Sequence, residues 1–306
     1  MAHQHGVTNE RLGGRLIASL ALNVLITLTQ IVGGVMAGSL ALITDALHNV
    51  TDVASLGLSY GALRISGRPA TERYTFAFQR AEVLAAIINA GALIGVSVYV
   101  AVEAVGRLLH PSPVAGLLVM GFAAFGMVAN GLAALLLRGH GRNLNMRSAV
   151  LHLVSDSVAS LGVLLAGAVI AVTKAYWIDP LISLALAAWM TKESIGLIRE
   201  ATHILMEGVP EEIELGPLQE AIAEISGVAA VHDLHVWAVA PDNILLSAHV
   251  VVDDMHVAAA TVVIGEIKRL LHDRYSVEHA TIEVECGEGG CAGAACATCV
   301  LAPGPE

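Results

Sequence analysis

Leu47-His48-Asn49-Val50-Thr51-Asp52 and Leu151-His152-Leu153-Val154-Ser155-Asp156 decide the reading of this chain. Each stretch sets a His and an Asp four residues apart. On a helix that spacing brings both side chains to one face. Each stretch also lies inside a long apolar run of membrane-spanning character. An imidazole and a carboxylate at membrane depth are costly unless partnered, so they mark a functional site. Two such pairs supply two nitrogens and two oxygens, the donor set of a four-coordinate divalent metal such as zinc.

Composition supports the membrane reading. Of 306 residues, 56% are hydrophobic and 14% charged, and mean hydropathy is +0.71. Six apolar segments stand out, at 15–37, 40–63, 81–107, 114–137, 148–173 and 178–198. Each has about 20 residues or more, enough to cross a ~30 Å hydrocarbon core. Arg11 and Arg15 lead into the first. Arg64, Arg68, Arg73 and Arg80 fall between the second and third, Arg138, Arg142 and Arg147 between the fourth and fifth, and Arg199 after the sixth. The other links carry only Arg107 and Lys174. Basic residues mark the cytoplasmic side, which puts both termini there, as an even number of spans requires. The first 14 residues lack the apolar core of a secretory leader, so the first segment is expected to remain. Glycines within the spans, such as Gly33, Gly91 and Gly126, allow close helix packing, and Asn23, Gln30, Asn89 and Asn130 suit hydrogen bonds between helices.

Charge is distributed unevenly. From Glu207 onward there are 17 acidic and 3 basic residues, against 10 and 13 before it. An acidic C-terminal part argues against nucleic acid as a partner, because neutralising phosphate needs Lys and Arg. It suits cations and equally suits a solvated surface. After Gly208-Val209-Pro210 the pattern becomes that of a soluble domain. A helix is expected over 211–225, strands over 228–239 and 244–252 around Ala240-Pro241-Asp242-Asn243, a helix over 256–274 and a strand over 277–285. The order αββαβ describes a small α+β domain with both helices on one sheet face. The fold class is therefore a membrane all-α unit of six transmembrane helices followed by this domain. The expected organisation is a cytoplasmic N-terminal segment 1–14, a transport unit 15–207, a cytoplasmic metal-binding regulatory domain 208–286 and a Cys-containing tail 287–306.

His48, Asp52, His152 and Asp156 together suit zinc, and after it Co²⁺, Cd²⁺ or Fe²⁺. Mg²⁺ and Ca²⁺ prefer oxygen alone, and the spans offer no thiol for Cu(I). The same groups bind protons, so metal and proton occupancy compete. Asp45 lies one helical turn before His48. It either orients His48 through a hydrogen bond or faces a hydrated vestibule. All four cysteines fall in the last 21 residues, and reducing conditions there favour metal over disulfide. Cys296 and Cys299 form a CxxC, and His3 and His5 offer imidazoles at the other end. These suit weak metal capture or form a plain tail. A redox role lacks the surrounding βαβ pattern. A membrane metalloenzyme is disfavoured by the absence of an HExxH. The remaining choice is between a transporter and a non-transporting membrane zinc sensor or scaffold.

Four motifs in order carry a resemblance. Thr44-Asp45-Ala46-Leu47-His48-Asn49-Val50-Thr51-Asp52 resembles the second-helix signature of the cation diffusion facilitator family, and residues 151–157 resemble its fifth-helix signature. Residues 73–82, RYTFAFQRAE, are similar to its loop between helices two and three, and residues 231–237, VHDLHVW, to its C-terminal motif. The resemblance spans roughly residues 12–285. It implies a homodimeric zinc/proton antiporter of six spans, working by alternating access, with a metallochaperone-like (ferredoxin-like) cytoplasmic domain. It assigns His48, Asp52, His152 and Asp156 as transport ligands, with the leading His similar to zinc-preferring members. It assigns His232, His249 and Glu285 to a regulatory metal site, with His279 as a fourth ligand. Strand parity puts His232 and His235 on opposite faces unless a bulge intervenes. Residues 64–80 contain no Asp or His, so the further loop site of some members is expected to be absent. The His-rich loop of eukaryotic members is also missing, which suggests a prokaryotic inner-membrane protein.

Overall fold

The computed structural model describes residues 4–138, 144–241 and 243–286, with side chains from residue 21 on and excluding 136–149. The chain divides into two compact units. The first comprises residues 1–61 and 85–198, and the second 62–84 and 199–306. The tail with Cys296 and Cys299, and the side chains of His3 and His5, lie outside what is described.

All six expected apolar segments are helical: α1 (Gln4–Ala37), α2 (Leu40–Ser66), α3 (Ala81–Leu109), α4 (Gly116–Arg138), α5 (Leu144–Thr173) and α6 (Ile178–Leu205). α1 starts well before residue 15, and α6 continues past 198 to Leu205. α3, α4, α5 and α6 each contain a stretch long and apolar enough to cross a membrane, and Ala21–Ala37 of α1 forms a shorter apolar helix. α2 falls short of that apolarity because Asp45, His48, Asn49 and Asp52 interrupt it. Large apolar side chains such as Leu28, Val35, Val102, Leu117 and Val172 face outward, as a lipid-facing surface requires.

Small residues bring the helices together inside. A Cβ added to Gly116 would sit 2.5 Å from the Ala171 backbone nitrogen and 2.6 Å from the Gly167 carbonyl oxygen, so α4 meets α5 backbone to backbone there. Gly38, at φ +68°, makes the turn between α1 and α2. The N-terminus of α2 is capped from another helix. Asp179, at the start of α6 and 1% exposed, accepts from Ser39 Oγ at 2.5 Å and from the backbone N–H of Leu40 at 2.7 Å. A buried carboxylate here is stabilised by the orphan amides and the positive end of the α2 dipole. Arg107 Nη1 donates to the Gly38 carbonyl at 2.8 Å on the same turn.

The second unit contains the expected αββαβ order: α7 (Leu215–Ala223), β1 (Val228–Ala240), β2 (Asn243–Val252), α8 (Val257–Tyr275) and β3 (Val277–Cys286). The sheet order is β1-β2-β3. β1 and β2 pair antiparallel, and β2 and β3 pair parallel across α8. Leu246, Ala248, Val250 and Val252 alternate along β2 and are buried with Leu218 and Ile222 of α7 and Val263, Ile267 and Leu271 of α8. Burying each large side chain contributes about 1.5–3 kcal/mol. Ser247, His249 and Val251 occupy the other face and are only half-buried. The link between α2 and α3 belongs to this unit. Its Gln79 accepts from Asn243 Nδ2 at 2.6 Å, and Arg80 pairs with Glu207 at 2.9 Å.

Candidate metal centre

In the helical unit, α2 contributes His48 and Asp52 and α5 contributes His152 and Asp156. Because both helices present an i, i+4 pair, four short distances alternate around a ring. His48 Nε2 lies 3.7 Å from Asp52 and 3.8 Å from Asp156, and His152 Nε2 lies 3.4 Å from Asp52 and 3.6 Å from Asp156. A tetrahedral zinc with bonds of about 2.0–2.1 Å has ligand–ligand edges of about 3.3 Å. The four donors therefore stand a few tenths of an ångström wider than a zinc ion would hold them. Ligand atoms of His48, Asp52 and Asp156 all lie within 4.8 Å of one another. Asp52 Oδ2 and Asp156 Oδ2 are buried, and the groups within 4 Å of them that carry charge are the two imidazoles, the surroundings of oxygens able to ligate a cation.

The supporting groups form a buried net. Asp45, 2% exposed, accepts from Gln30 Nε2 at 2.5 Å and from Ser160 Oγ at 2.9 Å. Asn49 Nδ2 donates to Gln30 Oε1 at 2.9 Å. Asp45 makes no hydrogen bond to His48 among the described residues. Its carboxylate reaches across to α1 and α5 instead of along its own helix, and Asp45 also lines the cavity at the ligands. Gly126 of α4 approaches this net closely: a Cβ there would lie 2.7 Å from Gln30 Nε2.

The cavity at the ligands has a volume of about 230 Å³. Besides His48, His152 and Asp156 it is lined by Trp189, Met190 and Glu193 of α6. Trp189 Nε1 donates to Glu193 Oε1 at 2.5 Å. Sequence reasoning missed Trp189 and Glu193, because a lone Glu beside Lys192 near the end of a span looks like an interfacial residue. The HisxxxAsp spacing has no counterpart on α6.

In the second unit, His232, His249 and Glu285 converge. Glu285 accepts from His232 Nε2 at 3.0 Å and His249 Nδ1 at 2.9 Å. The register explains the meeting, since His232 faces His249, and β3 runs parallel so that Glu283 faces His249 and Glu285 follows on the same side. A bulge does intervene after His232. His235 pairs with Ser247, which leaves one extra residue on β1, and Asp233 takes φ +49°. His235 thus shares the face of His232, and its Nε2 lies 3.1 Å from Asp233 Oδ1. Asp233 and Glu283 each lie 3.5 Å from His249 Nε2. Asp233 was not singled out from the sequence, whereas Glu283 stands with Glu285 on the last strand. His279 is placed elsewhere, which corrects its role as a fourth ligand. It pairs with Leu245, four residues or about 13 Å along the strand from Glu283, and its ring meets Phe76.

Residues 16–206 match the family described as cation efflux transmembrane domain, and residues 210–286 match the cation efflux protein cytoplasmic domain. The metal cation efflux system protein CzcD of Cupriavidus metallidurans is 35% identical over 285 residues, covering 93% of this chain and 89% of that protein. The zinc transporter ZitB of Escherichia coli strain K12 is 35% identical over 294 residues, covering 93% of each. A cadmium, cobalt and zinc/H(+)-K(+) antiporter of Bacillus subtilis strain 168 is 34% identical over 260 residues, covering 84% of this chain and 83% of its own length. His and Asp donors gathered between apolar helices, in a chain that also carries an α+β unit matching the cytoplasmic domain of cation efflux proteins, belong to a membrane transporter of metal cations rather than an enzyme. The chain belongs to the cation diffusion facilitator family.

Proposed function

We propose that this chain exports zinc from the cytoplasm in exchange for protons, with His48, Asp52, His152 and Asp156 as the transport ligands. The observation that supports it is the ring of four His–Asp distances between α2 and α5, close to the edges of a tetrahedral zinc site. The names of the ZitB and antiporter relatives point the same way. Coupling follows from chemistry: zinc needs neutral imidazoles and ionised carboxylates, so its arrival releases protons and its departure allows their return. A four-ligand site closed by protein holds its ion, so release requires α2 and α5 to separate in an alternating-access cycle.

The wider reading places the protein in a prokaryotic inner membrane as a homodimer with both termini cytoplasmic. Residues 15–207 form the transport unit and 208–286 the regulatory domain, where His232, His249 and Glu285 bind zinc. Residues 1–14 and 287–306 flank them. Zinc flux in proteoliposomes, with and without a pH gradient, tests the whole proposal. Flux should follow the proton gradient and vanish in Asp52→Ala and Asp156→Ala. Zinc binding without flux would instead favour a sensor, and wild-type flux in either variant would remove these ligands from the path.

A further inference from the structure

We propose that Glu193 of α6 captures the hydrated divalent cation at the mouth of the membrane cavity, with Trp189 holding its carboxylate in place, before the ion reaches the four ligands. The inference rests on the transport-site reading above. Exposure is graded among the ligands that line the cavity: the side chains of His152 and His48 are 44% and 17% exposed, and that of Asp156 is 2% exposed. The opening is therefore on the His152 side and the closed end at Asp156. Glu193 lines this cavity and is itself exposed, so it stands with the open end.

A carboxylate on an apolar helix needs a reason to be there. Facing lipid it would be strongly disfavoured, and as a structural ion it would sit beside a base. Among the described residues no Lys, Arg or His forms an ion pair with Glu193. Its hydrogen-bond partner is a neutral indole four residues earlier on the same face, at 2.5 Å to Oε1. The indole fixes the direction of the group without cancelling its charge, and the other oxygen remains able to accept from the water shell of a dication. Field lines from a charge at a cavity rim with apolar walls are focused into the opening, which raises local cation concentration. Leu151, Ala159, Leu186 and Met190 provide those walls. A single weak oxygen site also lets the ion go, so handover to His152 and Asp52 is downhill in ligand number.

The test is zinc transport by the full-length protein in proteoliposomes as a function of zinc and ionic strength. Glu193→Gln should raise KM about tenfold and leave kcat within about twofold, since capture precedes the step that the four ligands govern. It should also flatten the salt dependence of kcat/KM. Glu193→Asp should recover most of the loss, and Trp189→Phe, which keeps the ring but removes the donor, should fall between. A Glu193→Gln protein with wild-type KM and salt dependence, measured where Asp156→Ala is inactive, overturns the inference and leaves the transport site standing. Equal loss of kcat in Glu193→Gln and Glu193→Asp at unchanged KM assigns the residue a structural role and overturns it too. Full flux in Asp156→Ala overturns the transport-site reading, and the inference with it.

Discussion

Ser160 on α5 donates its hydroxyl to Asp45 on α2 at 2.9 Å, and this bond is the innermost of three rungs between the two helices. The next is His48 with Asp156 at 3.8 Å, and the last Asp52 with His152 at 3.4 Å. Numbers rise along α2 as they fall along α5, so the helices run antiparallel. The first rung is a direct hydrogen bond, whereas the other two set an imidazole nitrogen beside a carboxylate oxygen, the pairing a metal ion would bridge. A hydrogen bond to a charged group is worth about 1.5–3 kcal/mol. Ser160→Ala should therefore weaken zinc binding at the membrane site about tenfold, as loss of a supporting partner does elsewhere. Zinc-dependent thermal melting of the purified protein checks this, and wild-type affinity would show that the rung does not support the metal site.

His48→Asp should relax discrimination between zinc and cadmium. An imidazole presents one nitrogen at a fixed reach, whereas a carboxylate binds through one or two oxygens and adapts to a larger ion. The zinc-to-cadmium flux ratio is the readout. An unchanged ratio would remove His48 as the selectivity ligand.

Acidification on the side from which zinc binds should weaken apparent zinc affinity. Both imidazoles must be neutral and both carboxylates ionised to ligate, so protons and zinc compete for the same atoms. The sign is fixed: as pH falls, the protonated forms gain and zinc is displaced. The slope counts protons released per zinc, about tenfold in affinity per pH unit for one proton and about a hundredfold for two. Zinc titrations between pH 6 and 8 (roughly the range in which imidazole titrates) measure it, and a flat profile would argue against exchange with protons at these ligands.

Zinc should bring the cytoplasmic domains of a dimer together. With 17 acidic and 3 basic residues from Glu207 on, two such domains repel at distances within the ~8 Å screening length of physiological salt. Zinc at His232, His249 and Glu285 offsets part of that repulsion, and it shifts the balance only by its preference for the close state. Distances between spin labels on the two domains, with and without zinc, should shorten in the wild type and stay put in His232→Ala/His249→Ala. A distribution that zinc leaves in place would disprove this role.

The two His–Asp pairs were legible because helical periodicity is local: His48 with Asp52, and His152 with Asp156, need only an intact turn each to share a face. The αββαβ order was legible for the same reason, since alternation along β2 and the amphipathic stripe of α8 are written in neighbouring residues. What escaped depends on contacts far apart in sequence. Asp233 enters the second cluster only through a bulge that changes strand parity, and His279 leaves it because the parallel register carries it past Glu283. Spacing alone leaves Asp45 either orienting His48 or facing a hydrated vestibule, and its bond to Ser160, 115 residues away, is not written in neighbouring residues. Glu193 and Trp189 lie on a helix without the repeated motif, and only the packed cavity shows that they face the ligands.

The capped turn at Asp179 has a mechanical consequence. Asp179 binds the first residues of α2 from the first turn of α6, which joins the two helices at one end. Glu193 lies 14 residues farther along α6, about 21 Å away at 1.5 Å per residue. Rods fastened at one end separate most at the other. Any divergence between α2 and α6 is therefore smallest at the Asp179 cap and grows along α6 toward Glu193.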